Sequence, residues 1–470
     1  MKLQPYQESV LEKGDRPFAL HGTGTGKTLT SLKFIERAQN TNPDGNVVLI
    51  TSSALRDNLR KEKDKHEVDI DLDRVYTVTH EGMSRPNIAA KVKELVKDDG
   101  TLVMDEIHKI RNTSSKGYKN TMEASASASR ALGLTGTGII NHPDDLSALY
   151  GLVQGEKVAD VSDFIEEKVN NPSLIGRLLG KKPKVTLEIS DAKSLKDNFK
   201  SLDIYYPPED NPHMPTVLSR VEEVEMPATQ VLAYSRAEGQ AIKGRKDLAE
   251  LARKIRKGER LSKTEAVKTN VFASQTSQAA ISSAKHLPGP PISGKIKKAV
   301  NDLHRSFRDD DQHRAVLYTN KIGAGIEPLI KELNYRGLDD KYQVVQGSTD
   351  KSEIQGLVDN YNCGEKPILI LSDAGAEGLD LKGTRSIQVL NPHFNDGKIN
   401  QAIGRGARHG SHAHLPKNQR SIEVTHYHSV FPRKWMIGGR DKTVDGGLHA
   451  LSMEKAKKRD LVISVLSNDH

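Results

Sequence analysis

The sequence predicts an α/β protein made of two parallel-sheet lobes in tandem, with helical insertions between them. Three observations carry that expectation. Short, near-continuous apolar runs alternate with helical stretches, the pattern of parallel strands covered on both faces. The alternation occurs twice, in two blocks of similar length. Between the blocks the chain turns polar, helical and Pro-punctuated.

In the first block the predicted strands are "RPFALH", "NVVLIT", "RVYTVT", "GTLVMD" and "ALGLTG", with helical patterns over residues such as 28–39 and 87–97. In the second they are "RAVLYTN", "YQVVQG", "PILILSD", "RSIQVLN" and "SIEVTHYH", with helices around 326–333 and 351–360. Residues from about 144 to 200 read mostly helical, "YYPPEDNPHMP" is a break, and a short strand, "SRVEEVEM", follows it. We therefore expect lobe 1 over 1–226 with a helical insertion at about 144–200, a helical protrusion and linker over 227–292, and lobe 2 over 293–470.

A chain of 470 residues is long enough for two or three domains of about 150 residues each. The net charge of +8 suits a polyanionic partner. Residues 243–268 carry ten basic against four acidic side chains, which reads either as a solvated helix face or as a nucleic-acid-facing helix. Aromatics make up only 4% of the chain, so base stacking is not expected to dominate any nucleic-acid contact. The single cysteine, Cys363, excludes an intrachain disulfide and a cysteine-cluster zinc site. "MKLQPYQESV" lacks a basic-then-apolar leader and no apolar run approaches a membrane span, so a soluble, intracellular protein without a membrane partner is expected.

The chemistry is carried first by "LHGTGTGKTLTSL". A strand runs straight into Gly22, Thr23, Gly24, Thr25, Gly26, Lys27 and Thr28, and a helix follows. Glycines let backbone N–H groups curl round phosphates, and the helix N-terminus adds positive potential. Lys27 is placed for the β- and γ-phosphates of ATP, and Thr28 for Mg²⁺. His21 stands where the strict pattern has glycine. The glycines fall at 22, 24 and 26, so a dinucleotide fingerprint is excluded. Just past the strand "TLVMD", Asp105 suits Mg²⁺ and Glu106 suits activation of the attacking water. Alone, such an acidic pair is equally a loop start; downstream of a phosphate loop it points to hydrolysis. In "QAIGRGARHGSH", Arg405 and Arg408 lie three apart, on one helix face, as either a solvated basic face or a charge clamp for phosphoryl transfer.

Taken in order, these motifs resemble the superfamily 2 helicase-type ATPases almost end to end, and among them the Swi/Snf-like translocases. "LQPYQ" resembles the adenine-recognising motif, with Gln7. "HGTGTGKT" resembles motif I and "DEIH" the DEAH box. "VVLITSSALRDN" resembles motif Ia, and "LTGTGIINHPDDLSALYGLV" the Swi/Snf-type stretch around motif III. "AVLYTN" is similar to motif IV, "ILSDAGAEGLDLKGTRSIQVLNPHFN" to motif V and "QAIGRGARHGSH" to motif VI. The compact viral and phage branch, including poxvirus-type nucleoside triphosphate phosphohydrolases, is the most similar in feel.

The resemblance implies two RecA-like lobes sandwiching ATP and Mg²⁺. Arg405 and Arg408 are then arginine fingers, with Gly378 and Asp380 of motif V also on the nucleotide side. His108, Thr135, Gly136, Thr137 and Gln401 couple hydrolysis to movement. Ser52, Ser53, Thr319, Asn320, Ser372 and Gly375 are candidates for the nucleic-acid backbone. Three departures stand out: Ile107 crowding the DEAH-like loop, Gly138 loosening the turn where relatives have proline, and Gly406-Ala407 lightening motif VI. None removes a reacting group.

The expected function is a monomeric motor translocating on double-stranded DNA without sequence specificity. A polymerase or a replication/repair protein is the expected protein partner. Four alternatives stand beside this function: a strand-separating or annealing helicase, an RNA-directed helicase, a polymerase-associated transcription-release ATPase, and an inactive DNA-binding scaffold.

Overall fold

The computed structural model describes residues 3–22, 24–136, 138–139, 142–170, 184–207, 213–257, 259, 261–372, 379–392, 396–432 and 443–467. The chain divides into two compact units, Met1–Pro207 with Lys455–His470, and Pro208–Glu454.

The first unit is built on a six-stranded sheet, all of it parallel. Its strands are β1 (Phe18–His21), β2 (Val47–Thr51), β3 (Val75–Thr79), β4 (Thr101–Asp105), β5 (Arg130–Thr135) and, after the hairpin of β6 (Ile165–Asn170) and β7 (Lys184–Ile189), β8 (Leu202–Tyr205). Their order is β3-β2-β4-β5-β1-β8. The helices are α1 (Pro5–Glu12), α2 (Lys27–Thr41), α3 (Ser53–His66), α4 (Pro86–Val96), α5 (Lys116–Ser127), α6 (Asp144–Gln154) and α7 (Ala192–Asn198).

The apolar runs explain this sheet. Along β2, Val48 and Ile50 enter one core with Phe18, Leu20, Leu102 and Met104, while Val47 and Leu49 enter another with Ala19, Val103, Leu132 and Ile35. Successive strand residues point to opposite faces, so a strand apolar at every position needs cover on both. Each such fully buried side chain contributes about 1.5–3 kcal/mol.

The insertion at 144–200 differs from the expected mostly helical segment. Among its described residues only α6 and α7 are α-helical; β6 and β7 pair antiparallel, with Val169 opposite Val185. Period-two alternation in "KVTLEI" favours strand. Strand β8 was not anticipated either, because only three of its residues precede the Pro-rich break that begins at Tyr205.

The second unit carries β9 (Thr216–Glu225), β10 (Ala315–Tyr318), β11 (Tyr342–Val345), β12 (Ile368–Leu371), β13 (Ser386–Val389) and β14 (Ser421–Val430). They form another six-stranded parallel sheet, in the order β11-β12-β10-β13-β14-β9. Its helices are α8 (Ala228–Ile242), α9 (Lys246–Lys257), α10 (Lys263–Ile281), α11 (Gly294–Asp309), α12 (Glu327–Tyr335), α13 (Lys351–Cys363), α14 (Asp396–Gly406) and the first part of α15 (Val444–Leu466). Helices α8 to α10 gather Tyr234, Leu248, Leu251, Ile255 and Phe272 into a core shared with Val444 and Leu448 of α15.

Two segments fall outside the expected lobe limits of 226 and 293–470. Strand β9, expected to close lobe 1, pairs along all ten residues with β14 of the second sheet, whose equal length offers a full ladder. The chain from Lys455 belongs to the first unit, where Val462 joins the core.

At least four of the ten basic side chains at 243–268 are held in ion pairs. Arg253 pairs with Glu250 at 2.7 Å and Glu259 at 2.9 Å, Lys254 with Glu265 at 2.7 Å, Lys268 with Asp247 at 3.0 Å, and Arg256 with Glu238. This is a solvated, ion-paired helix surface. No helix among the described residues is long and apolar enough to cross a membrane.

Candidate nucleotide site

In the first unit the phosphate loop connects β1 to α2 across the carboxyl end of the sheet, the edge where open α/β sheets bind ligands. Gly26 sits just before α2 at φ +73°, in the left-handed region that a side chain disfavours. A Cβ there would lie 2.8 Å from Gln7 Nε2. Gln7, on α1, donates to the carbonyls of Thr25 at 3.1 Å and Gly26 at 3.2 Å, and Tyr6 OH donates to Thr25 at 3.1 Å. Thr25 Oγ1 donates to Gly22 O at 2.8 Å. Lys27 Nζ donates to the carbonyls of His21 at 3.1 Å and Gly22 at 3.0 Å, which places the ammonium across the mouth of the loop. Thr28 is the second residue of α2, and Gly24 has φ +80°.

Strand β4 delivers Asp105 to the same edge. Asp105 is 7% exposed, and its Oδ2 accepts Thr51 Oγ1 at 3.0 Å from the end of β2. Burial pushes its pKa up to about 6, and the Glu106 charge adds to the rise. The Lys27 ammonium, the Thr51 hydroxyl and the Glu106 N–H pull the other way. Behind it, His80 Nε2 lies 2.7 Å from the Asp105 carbonyl, and burial lowers the pKa of that imidazole.

The chain turns sharply after Asp105, with Glu106 at φ 47°, an uncommon conformation for a residue with a Cβ. The Glu106 carboxylate meets His108 Nδ1 at 3.2 Å, and the same nitrogen lies 2.9 Å from Thr135 Oγ1 at the end of β5. A polar chain therefore runs from the predicted water-activating carboxylate to the "LTGTG" segment. The expected crowding by Ile107 does not arise. Its side chain is fully buried in the core below, where Gly133 leaves space beside it. Gly138, expected to loosen its turn, is packed closely: a Cβ there would be 3.0 Å from Leu20.

The site fits Mg²⁺ and nucleotide. A magnesium ion bound with phosphate takes few protein ligands, and Thr28 with Asp105 supplies that kind of set. Among the described residues no cluster of three or more His, Cys, Asp or Glu forms a dedicated metal cage.

In the second unit, α14 carries Gln401 and Arg405 four residues apart, on one face, both half-buried. The Arg405 carbonyl accepts Leu381 N–H at 3.2 Å. Arg408 lies 3.7 Å from Asp380 Oδ1, and its Nε donates to Gly404 O at 3.3 Å. Asp380, expected on the nucleotide side, thus meets an expected finger in this structure.

The candidates for nucleic-acid contact have varied surroundings. Ser52 caps α3, its Oγ accepting Leu55 N–H at 3.4 Å, and Ser53 begins that helix. Thr319 is fully buried and donates to Asn391 Oδ1 at 2.9 Å, which gives its hydroxyl a role in shaping the loop after β10. Asn320 Oδ1 accepts Asn391 Nδ2 at 3.0 Å. Ser372 is buried after β12, its N–H donating to Val345 O at 3.2 Å. Gly136 follows β5 directly. Thr23, Thr137, Gly375 and Gly378 lie outside the described residues.

Sequence reasoning missed Thr51, His80 and Asp203 of β8, whose Oδ1 lies 2.7 Å from His21 Nε2. Thr51 carried a signal, a hydroxyl ending an otherwise apolar strand; the other two depend on tertiary contacts alone.

Family models match twice. The "Type III restriction enzyme, res subunit" family matches residues 1–139, and the "Helicase conserved C-terminal domain" family matches residues 295–410. Over 466 residues the chain is 27% identical to a putative ATP-dependent RNA helicase of Acanthamoeba polyphaga mimivirus, covering 96% of this chain and 94% of that protein. Over 94 residues it is 34% identical to an African swine fever virus termination factor NPH-I homolog, covering 19% of this chain and only 13% of that protein. Among solved structures, the Sulfolobus solfataricus SWI2/SNF2 ATPase core, in complex with dsDNA, aligns over 92% of this chain and 88% of its own, at 17% identity and TM-score 0.36. The Pyrococcus furiosus Hef helicase domain aligns over 90% and 95%, at 14% identity and TM-score 0.47.

Proposed function

We propose that this chain is a superfamily 2 helicase-type ATPase, a nucleic-acid-dependent motor that translocates on double-stranded DNA; the two family matches and the near-full-length viral relative support that reading. The observation that carries this reading is the chain of contacts from Glu106 through His108 to Thr135. It links a hydrolytic carboxylate to the segment that resembles the Swi/Snf-type coupling motif.

Lys27 and the loop N–H groups bind the phosphates, and Glu106 orients the attacking water. Thr28 and Asp105 would hold Mg²⁺, which would supply charge neutralisation when bound. Arg405 and Arg408 stabilise the charge that develops on the γ-phosphoryl group. Hydrolysis is coupled to opening and closing of the lobes, and the backbone contacts that track the strand are salt-dependent.

A second reading, an RNA-directed helicase, is favoured by the name of the mimivirus relative, which matches nearly full length. A polymerase-associated release factor is favoured by the NPH-I homolog, over a much shorter stretch. Triplex displacement and strand separation, run side by side on duplex DNA and on RNA duplexes, test the proposal. ATP-dependent triplex displacement on DNA without strand separation is the expected result. RNA unwinding with no triplex displacement overturns it.

A further inference from the structure

His21 occupies the position at which the strict phosphate-loop pattern has glycine, and it is not a passive replacement. Its side chain is 1% exposed, and Nε2 lies 2.7 Å from Asp203 Oδ1 on β8, itself 3% exposed. A carboxylate accepts, so Nε2 carries the proton. Nδ1 is buried with no hydrogen-bond partner among the described residues. Burial raises the Asp203 pKa, but the bonds from His21 and Ser9 outweigh it and hold the carboxyl below its usual range.

The second oxygen of Asp203 accepts Ser9 Oγ at 2.5 Å. Ser9 lies on α1, two residues beyond Gln7, whose amide holds the carbonyls of Thr25 and Gly26. The His21 carbonyl accepts Lys27 Nζ. A circuit therefore closes from the end of β1, through β8, to α1 and back onto the loop. A second clamp reinforces it: Tyr6 of α1 stacks on Tyr205 of β8, with centroids 3.8 Å apart and planes 3° from parallel. Asp203 and Tyr205, two apart on a strand, face the same side.

We propose that His21, Asp203 and Ser9 are positioning residues that fix the start of the phosphate loop against the helix bearing Gln7, holding phosphate binding and base recognition in one register. The proposal rests on the loop being the ATP site. None of the three touches the phosphoryl group in transfer, so breaking the relay weakens binding of substrate and transition state alike. Such a loss raises KM and leaves kcat in place.

The test is steady-state hydrolysis of ATP and GTP by the full chain. His21→Ala and Asp203→Ala are expected to raise the KM for ATP about tenfold, the scale of one charge-assisted bond. The kcat stays within about twofold and the preference for ATP over GTP falls. His21→Gln, whose Nε2 can reach the same carboxylate, restores the wild-type KM. Ser9→Ala, at a half-buried hydroxyl, shows the same signature at about threefold, and it decides the matter should the buried variants fail to fold. Unchanged KM and unchanged base preference in Ser9→Ala, or a His21→Gln protein as impaired as His21→Ala, overturns the proposal. Lys27→Ala keeps the two readings apart: full hydrolysis by that variant sinks the ATP-site assignment itself, whatever the relay variants do.

Discussion

Asp105 is held in the folded protein at a cost that depends on pH. Burial beside Glu106 raises its pKa from 3.8 to about 6, so the folded chain holds this proton more tightly than the unfolded chain does. Ionisation therefore disfavours the folded state. The penalty is absent below about pH 4, grows between about pH 4 and 6, and is complete above that window. At about 1.4 kcal/mol per pKa unit, the rise is worth about 3 kcal/mol at neutral pH. Asp105→Asn removes the charge and keeps an acceptor for the Thr51 hydroxyl. The variant is expected to be more stable than the wild type at pH 7.5, by up to about 3 kcal/mol. That is several degrees in Tm for a unit of this size. The difference should vanish near pH 4. Hydrogen exchange of the β4 amides and denaturant titrations across pH 4 to 7.5 measure it. A destabilised Asp105→Asn at pH 7.5, or an offset that does not change with pH, would refute the reasoning. The same variant should lose Mg²⁺-dependent hydrolysis, so stability and activity move in opposite directions.

Two further outcomes are expected. Arg405→Ala and Arg408→Ala each lower kcat about a hundredfold or more, with ATP affinity, read by titration of a fluorescent nucleotide, changed only a few-fold. Lys295 and Asp445 form a fully buried ion pair at 2.6 Å in the second unit, and Ser429 N–H donates to the same carboxylate oxygen at 2.9 Å. Lys295→Met alone leaves a buried carboxylate without its cation and costs about 3–5 kcal/mol, whereas Lys295→Met with Asp445→Leu comes much nearer the wild type; thermal melts of the single and double variants read the difference.

Much of the fold was legible because its parallel strands are apolar at nearly every position. "VVLIT" and "ILIL" cannot be half-exposed, and their spacing by helical stretches leaves few alternatives to a covered parallel sheet. The phosphate loop and the Asp105-Glu106 pair were legible because their chemistry is local: glycines, lysine and carboxylates within a few residues of a strand end. What escaped was non-local. Strand β9 reads as the end of the first block, but a ten-residue partner in the second sheet decides its place. Hairpin β6–β7 lies between two helices and follows its period-two pattern. In the sequence His21 is only a departure from the strict motif, since Asp203 lies 182 residues away and only the fold brings them together. The basic run at 243–268 was equally non-local: composition left a solvated face and a nucleic-acid-facing helix both open, and only the fold shows that Arg253, Lys254 and Lys268 pair with Glu250, Glu259, Glu265 and Asp247.

The most direct measurement is ATP turnover by the full chain at one fixed salt concentration, with no nucleic acid, single-stranded DNA, duplex DNA and RNA, beside Lys27→Ala as the blank. A duplex-DNA translocase hydrolyses slowly alone and is stimulated by duplex DNA above single strands and RNA. Turnover raised by RNA or single strands, and not by duplex DNA, contradicts it.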